Sequence, residues 1–187
     1  MLSYNSSINE EKNYLGLTVK EISPIMKLNL RGKSRDFLTT IGKNTNMILP
    51  MEANTSAYSD NYTSLWLSPD EWMIISNNTI NKENNIYEIE ELLFNEISKT
   101  NLGSVTDVSD QFVMVNLNGE KIFDLLSTGC PFDFNDFSSK VGSVAQTLLT
   151  QIDVIIHHQE RNSINLLVRR SFSEHLMSWI NDSASRL

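Results

Sequence analysis

Two kinds of apolar spacing alternate along this chain, in nearly the same order twice. Strand-like alternation over residues 25–30 (IMKLNL) gives way to Phe37, Leu38 and Ile41, which share one helix face behind a capping residue at Ser34. Residues 63–67 and 72–76 then flank Ser68-Pro69-Asp70-Glu71, a turn with Pro at its second position, which predicts a hairpin. Ile86, Ile89, Leu93 and Ile97 fall at helical spacing behind Asn84 and Asn85, and residues 104–108 predict a closing strand. A similar run follows: a strand at 112–117, a helix at 119–127 stopped by Gly129 and Pro131, a loop FDFNDFSSK, and strands at 144–149, 153–157 and 164–168. A last helix opens with Ser171 and Glu174 spaced as a capping box, and Phe172, Leu176, Trp179 and Ile180 form one stripe.

Strand–helix–strand–strand–helix occurring twice predicts an α+β protein of two related sheet-and-helix units. Residues 1–20 are polar and predict a flexible N-terminal arm. Residues 21–187 then form a single domain with halves at about 21–109 and 110–187. The Asn- and Thr-rich stretch 43–61 reads as a long loop.

Fifteen basic against 23 acidic residues give a net charge of −8, a surface that repels phosphate backbones and argues against nucleic acid as a partner. No stretch approaches the ~18 apolar residues of a membrane span, and the N-terminus has neither the basic start nor the apolar run of a signal peptide. The lone Cys130 excludes an internal disulfide and suits a reducing compartment, so the expected location is cytoplasmic.

The motifs that carry chemistry are mostly missing. The seven glycines never lie two apart, so the chain has no dinucleotide fingerprint, and no Gly-Lys-Ser/Thr ends a phosphate loop. Metal ligands are limited to Cys130, His157, His158 and His175; adjacent histidines on a strand point to opposite faces and do not share an ion. Cys130 follows a helix C-terminus, where the partial negative charge opposes thiolate formation, so it reads as a packed thiol. Asp70 and Glu71 sit in a turn where Asp bonds its own backbone. Asp107 and Asp110 flank Ser109, which suits either loop amides or a substrate. The Arg169–Arg170 pair precedes a helix N-terminus, which suits an interfacial salt bridge as well as an anion. No catalytic, cofactor-binding or metal residue is assigned.

Five strings, in order and at matching spacing over about residues 20–182, resemble the gamma subunit of heterotetrameric sarcosine oxidase. They are LWLSPDEWMI (65–74), TDVSDQ (106–111), LNGEKIFDLLSTGCPFDF (117–134), AQTLL (145–149) and LLVRRSFSEHLMSWI (166–180). The resemblance implies a reduced form of the folate-binding aminomethyltransferase fold of glycine cleavage. It implies a non-catalytic chain that assembles with alpha, beta and delta subunits. The complex demethylates sarcosine oxidatively to glycine, and the methyl carbon leaves as formaldehyde or passes to tetrahydrofolate. Flavins, NAD, tetrahydrofolate and zinc would belong to the other subunits. Trp66, Asp70, Trp72, Asp110, Cys130, Asp133, Arg169 and Arg170 then stand as fold or partner-interface markers. Trp66 or Trp72 and the phenylalanines of FDFNDF are expected outside the core, because an aromatic near a turn reaches a partner easily.

A reading of another class is a free-standing folate-binding or aminomethyltransferase-like protein. Its pterin pocket needs a carboxylate and an aromatic wall, for which Asp107 or Asp110 and Phe112 are candidates.

Overall fold

A computed structural model describes Ser6 and residues 11–22, 25–80, 82–83 and 85–187. The elements in chain order begin with β1 (Lys12–Tyr14), β2 (Leu17–Ile22), β3 (Lys27–Arg31), α1 (Arg35–Thr45), β4 (Ser56–Tyr58), β5 (Tyr62–Ser68) and β6 (Glu71–Ser76). Next come α2 (Glu88–Leu93), which runs on as a π-helical turn (Phe94–Ser98), then β7 (Ser104–Asp107), β8 (Phe112–Asn118), α3 (Ile122–Ser127) and α4 (Phe134–Ser139). The chain ends with β9 (Val144–Leu149), β10 (Ile152–Glu160), β11 (Ser163–Arg169), a 3-10 turn (Arg170–Phe172) and α5 (Ser173–Ala184).

These elements divide into two units, one of the described residues between 24 and 110, the other of those before 24 and after 110. In the first, an antiparallel sheet has the order β4-β5-β6-β3-β7. Period-two alternation turns Leu28, Leu30, Trp72, Ile74 and Val105 to one face, where Phe37 and Ile41 of α1 and Leu93 and Ile97 after them close the core. Each such side chain contributes roughly 2 kcal/mol by leaving water. Ser34 caps α1 as its position predicts, accepting from the Phe37 N–H at 3.1 Å.

The second unit has an antiparallel sheet of order β1-β2-β8-β11-β10-β9. Val113, Val115 and Leu117 of β8, Ile164, Leu166 and Val168 of β11, and Val154 and Ile156 of β10 form a core with α3, α4 and α5. β2 precedes β3 in the chain yet pairs with β8, while β7 precedes β8 yet pairs with β3. The two sheets thus share one design, β7-β3-β6-β5-β4 and β2-β8-β11-β10-β9, with the leading strand of each repeat exchanged.

Four expectations need correction. Residues 12–20 are not an arm: they supply β1 and much of β2, where Leu17, Val19 and Glu21 face in and Lys20 faces out. The other residues expected in the arm, except Ser6 and Glu11, lie outside the described residues. The expected half from 21 to 109 therefore yields its first two residues to the other sheet. FDFNDFSSK is not loop throughout, because Asp133 accepts from the Asn135 N–H at 3.0 Å and starts α4. The capping box at Ser171 does not form: the chain enters α5 through the 3-10 turn, and Ser173 donates its hydroxyl to the Arg170 carbonyl at 2.8 Å. The buried stripe of α5 shifts accordingly to Ser173, Leu176, Met177, Ile180 and Ala184. Finally, Asn85 does not cap α2, whose N-cap is Tyr87. Asn84 lies outside the described residues, Asn85 adopts φ 67°, and Glu90 accepts the Tyr87 N–H at 3.3 Å.

Candidate functional site

A polar cluster lies where TDVSDQ leaves the first unit's sheet. Val108 extends the β7 ladder by donating to the Lys27 carbonyl at 2.9 Å. Ser109 then turns its hydroxyl back to accept the Lys27 N–H at 2.9 Å, and Asp107 accepts the Ser109 N–H at 2.9 Å. The second oxygen of Asp107 pairs with the Lys82 ammonium, which stands 4.8 Å over the Tyr87 ring. The ammonium of Lys27 is itself buried, donating to the carbonyls of Ile25 (3.2 Å) and Ser109 (3.3 Å).

Electrostatics here are closed on themselves. Burial acts to raise the Asp107 carboxyl, but the bonds from Lys82 and Ser109 outweigh it and hold it below the usual carboxylate range. Burial acts to lower Lys82, and Asp107 outweighs that and raises it. Burial also raises the Tyr87 hydroxyl, against a hydrogen bond from Ser109. Asp107 is therefore a charged anchor that fixes a strand exit, not a base held ready for a proton. Asp110, by contrast, is exposed. Lys27 and Lys82 were not singled out by sequence; a lysine in an apolar run, as in IMKLNL, is the signal that marks the first.

The remaining markers of this unit surround the Pro69 hairpin. Trp72 is 1 % exposed, donates Nε1–H to the Pro50 carbonyl at 2.8 Å and lies 6.1 Å from Phe37 between ring centres. Trp66 pairs with Trp72 across the hairpin and packs, half-buried, on the same core. Asp70 accepts from Ser68 at 2.9 Å and stands 3.7 Å from Arg31. Trp72 thus lies inside the unit rather than outside its core.

In the second unit Cys130 is buried, its Sγ 3.7 Å from the Thr147 hydroxyl oxygen. The chain is close-packed beside it: a Cβ on Gly129 would meet Trp179 at 2.6 Å. The phenylalanines that follow also turn inward, with Phe134 and Phe137 6 % exposed and Phe132 edge-on to both at 5.1 and 5.5 Å. Expecting them outside the core overlooked α4, whose i, i+3 spacing puts Phe134 and Phe137 on one face.

His157 and His158 occupy opposite faces of β10, as adjacent strand residues must. His158 stacks on Phe137, and its Nδ1 lies 3.1 and 3.0 Å from the carbonyls of Phe137 and Lys140, pinning the end of α4. Burial lowers the pKa of His157 to about 4, with His158 adding to the shift. Asp133 is an exposed helix cap, Arg169 ends β11 exposed, and Arg170 is half-buried and donates its N–H to the Gln111 carbonyl at 2.9 Å. Among the described residues no group of three or more His, Cys, Asp or Glu is placed to hold a metal ion. No described helix is long and apolar enough to cross a membrane.

Taken together, the two sheets with their helices form a mixed α and β fold that is shared with part of a glycine cleavage aminomethyltransferase. The chain is similar to aminomethyltransferase T from Bartonella henselae, with a TM-score of 0.60 and 13 % identity, over 89 % of this chain and 46 % of that one. A family model, "Sarcosine oxidase, gamma subunit family", matches residues 31–186, and the chain belongs to that family. It is 29 % identical to sarcosine oxidase subunit gamma of Corynebacterium sp. (strain P-1) over 138 residues, 73 % of this chain. With the corresponding subunit of Corynebacterium sp. (strain U-96) it shares 28 % identity over 65 % of its length. The aligned parts span 64 % and 55 % of those two relatives. A chain of the heterotetrameric sarcosine oxidase from Corynebacterium sp. U-96 has the same fold, with a TM-score of 0.80 and 24 % identity over 91 % of this chain and 84 % of that one.

Proposed function

We propose that this chain is the gamma-type, non-catalytic subunit of a heterotetrameric complex that oxidises sarcosine to glycine, the methyl carbon leaving as formaldehyde or passing to tetrahydrofolate. The observation that carries this reading is the family match over residues 31–186, which runs from the end of β3 through α5. The state of the polar groups agrees with it. Asp107, Lys82, Ser109 and Cys130 are engaged in holding loops and packing, so the chemistry falls to partner chains. Those partners are the alpha, beta and delta subunits of the same cytoplasmic complex, and they carry the flavins, NAD, tetrahydrofolate and zinc.

Co-expression with alpha and beta chains from the same organism, followed by pull-down on a tagged alpha chain, tests the proposal. Stoichiometric recovery of this chain supports it. A chain that stays behind beside correctly folded partners refutes it and brings forward the folate-binding alternative, which binding of tetrahydrofolate to the isolated chain would then establish.

A further inference from the structure

Because the leading strands are exchanged, the two units are built differently along the chain. The first is one continuous run, 24–110, which carries all five strands of its sheet and the whole of its core. The second is made of two runs, since β1 and β2 come from before residue 24 and its other strands and helices from after residue 110. The first unit is thus inserted between β2 and β8, which pair with each other in the second. The ends of the insert lie side by side. Leu28 pairs with Asp107, Val108 donates to the Lys27 carbonyl at 2.9 Å, and Ser109 accepts the Lys27 N–H at 2.9 Å. The Lys27 ammonium, 2 % exposed, closes the same clasp by donating to the Ile25 and Ser109 carbonyls at 3.2 and 3.3 Å.

A continuous run with its own core folds as a unit, whereas a unit made of two runs must first bring them together. In the unfolded chain, pairing Ile22 with Met114 closes a loop of about ninety residues. Once the insert has formed, its clasp holds both ends, and only about a dozen residues of that loop, from 22 to 27 and from 107 to 114, stay open. Closure probability falls as roughly the 3/2 power of loop length, so the shorter loop closes about twentyfold more often. The second unit depends on that closure, because β2 brings Leu17 and Val19 to its core and is the partner of β8 on one side. We propose that residues 24–110 fold first and act as a template whose clasped ends deliver β2 and β8 to each other, so that the second sheet forms after the first. The order of folding is then a conformational device set by the strand exchange, and it holds whether or not the chain has partners.

Pulsed hydrogen exchange on the full chain refolding from urea, read peptide by peptide by mass spectrometry, follows the two sheets separately. Amides of β3, β5 and β6 should gain protection in an early phase, and those of β8, β10 and β11 in a later one. Leu166→Ala opens the second core and should leave the early phase at the wild-type rate. Ile74→Ala opens the first core. In urea just sufficient to abolish early protection in Ile74→Ala while the wild type keeps it, protection of β8, β10 and β11 should be about twentyfold slower than in the wild type, or absent. Wild-type timing of the second sheet in Ile74→Ala under those conditions overturns the proposal. It is equally overturned if the two sheets of the wild-type chain gain protection together, or if β8, β10 and β11 do so first. A slowed early phase in Leu166→Ala overturns it too, since the second core would then take part in forming the first.

Discussion

The indole N–H of Trp72 donates to the carbonyl of Pro50 across 2.8 Å, and that one bond ties the long segment between α1 and β4 to the centre of the first sheet. Met47 and Leu49 on the same segment are buried, 4 % and 3 % exposed, while Ile48 between them is 87 % exposed. Trp72→Phe removes the donor, strands a buried carbonyl and leaves a small void, so it should cost about 2 kcal/mol. Urea unfolding measures the loss, and hydrogen exchange at residues 47–52 should quicken more than in the α1 interior.

Asp107 and Lys82 make a second fastening, partly buried at 20 % and 29 % side-chain exposure. Asp107→Asn keeps an acceptor for Ser109 but loses the ion pair, and should cost about 1 kcal/mol given that exposure. Because the folded carboxyl lies below its unfolded value of 3.8, its contribution is present above that pH and lost as pH falls through the folded value. Wild type and variant should therefore differ by a constant amount above pH ~5 and converge in stronger acid. A difference that persists unchanged to low pH would assign the effect to packing.

His157, 2 % exposed, works in the opposite range. Its folded pKa is about 4 against an unfolded 6.5, so between those values the unfolded chain binds a proton that the folded one does not. Stability is thus complete above pH 6.5 and falls as pH drops toward 4, by about 2–3 kcal/mol from this residue. Urea titrations at pH 7.5 and 4.5 should show His157→Asn losing clearly less than the wild type over that interval.

Much of this was readable in advance, and the failures share a cause. Ser34 as a cap, the hairpin about Pro69 and the opposed histidines depend on spacing within a few residues, which sequence shows directly. The exchange of β2 and β7 depends on pairing between strands far apart in sequence, and local patterns carry no trace of it. β1 and β2 read as an arm because six alternating residues, two of them charged, give little apolar signal until a sheet edge receives them. Phe134 and Phe137 look like loop aromatics until Asp133 is seen capping a helix of six residues. In the polar cluster, Asp107 and Ser109 were visible as a motif. Their use was not, since Lys82 and Tyr87 reach them from more than twenty residues away.

Cys130→Ser separates packing from chemistry. The thiol sits 9 % exposed beside Thr147, so serine exchanges a small apolar contact for a hydroxyl with a polar neighbour and should cost about 1 kcal/mol. Turnover of the assembled complex should stay within about twofold, since a packed thiol takes no part in the reaction. A loss of several hundredfold with assembly intact would make Cys130 catalytic.

Sedimentation of the co-expressed subunits tests the central claim most directly. This chain, mixed with alpha, beta and delta partners from its own organism, should sediment wholly within one species that contains each subunit once and oxidises sarcosine. A chain that sediments alone at its own mass of 21.3 kDa, while the other three form an active complex without it, would contradict the account.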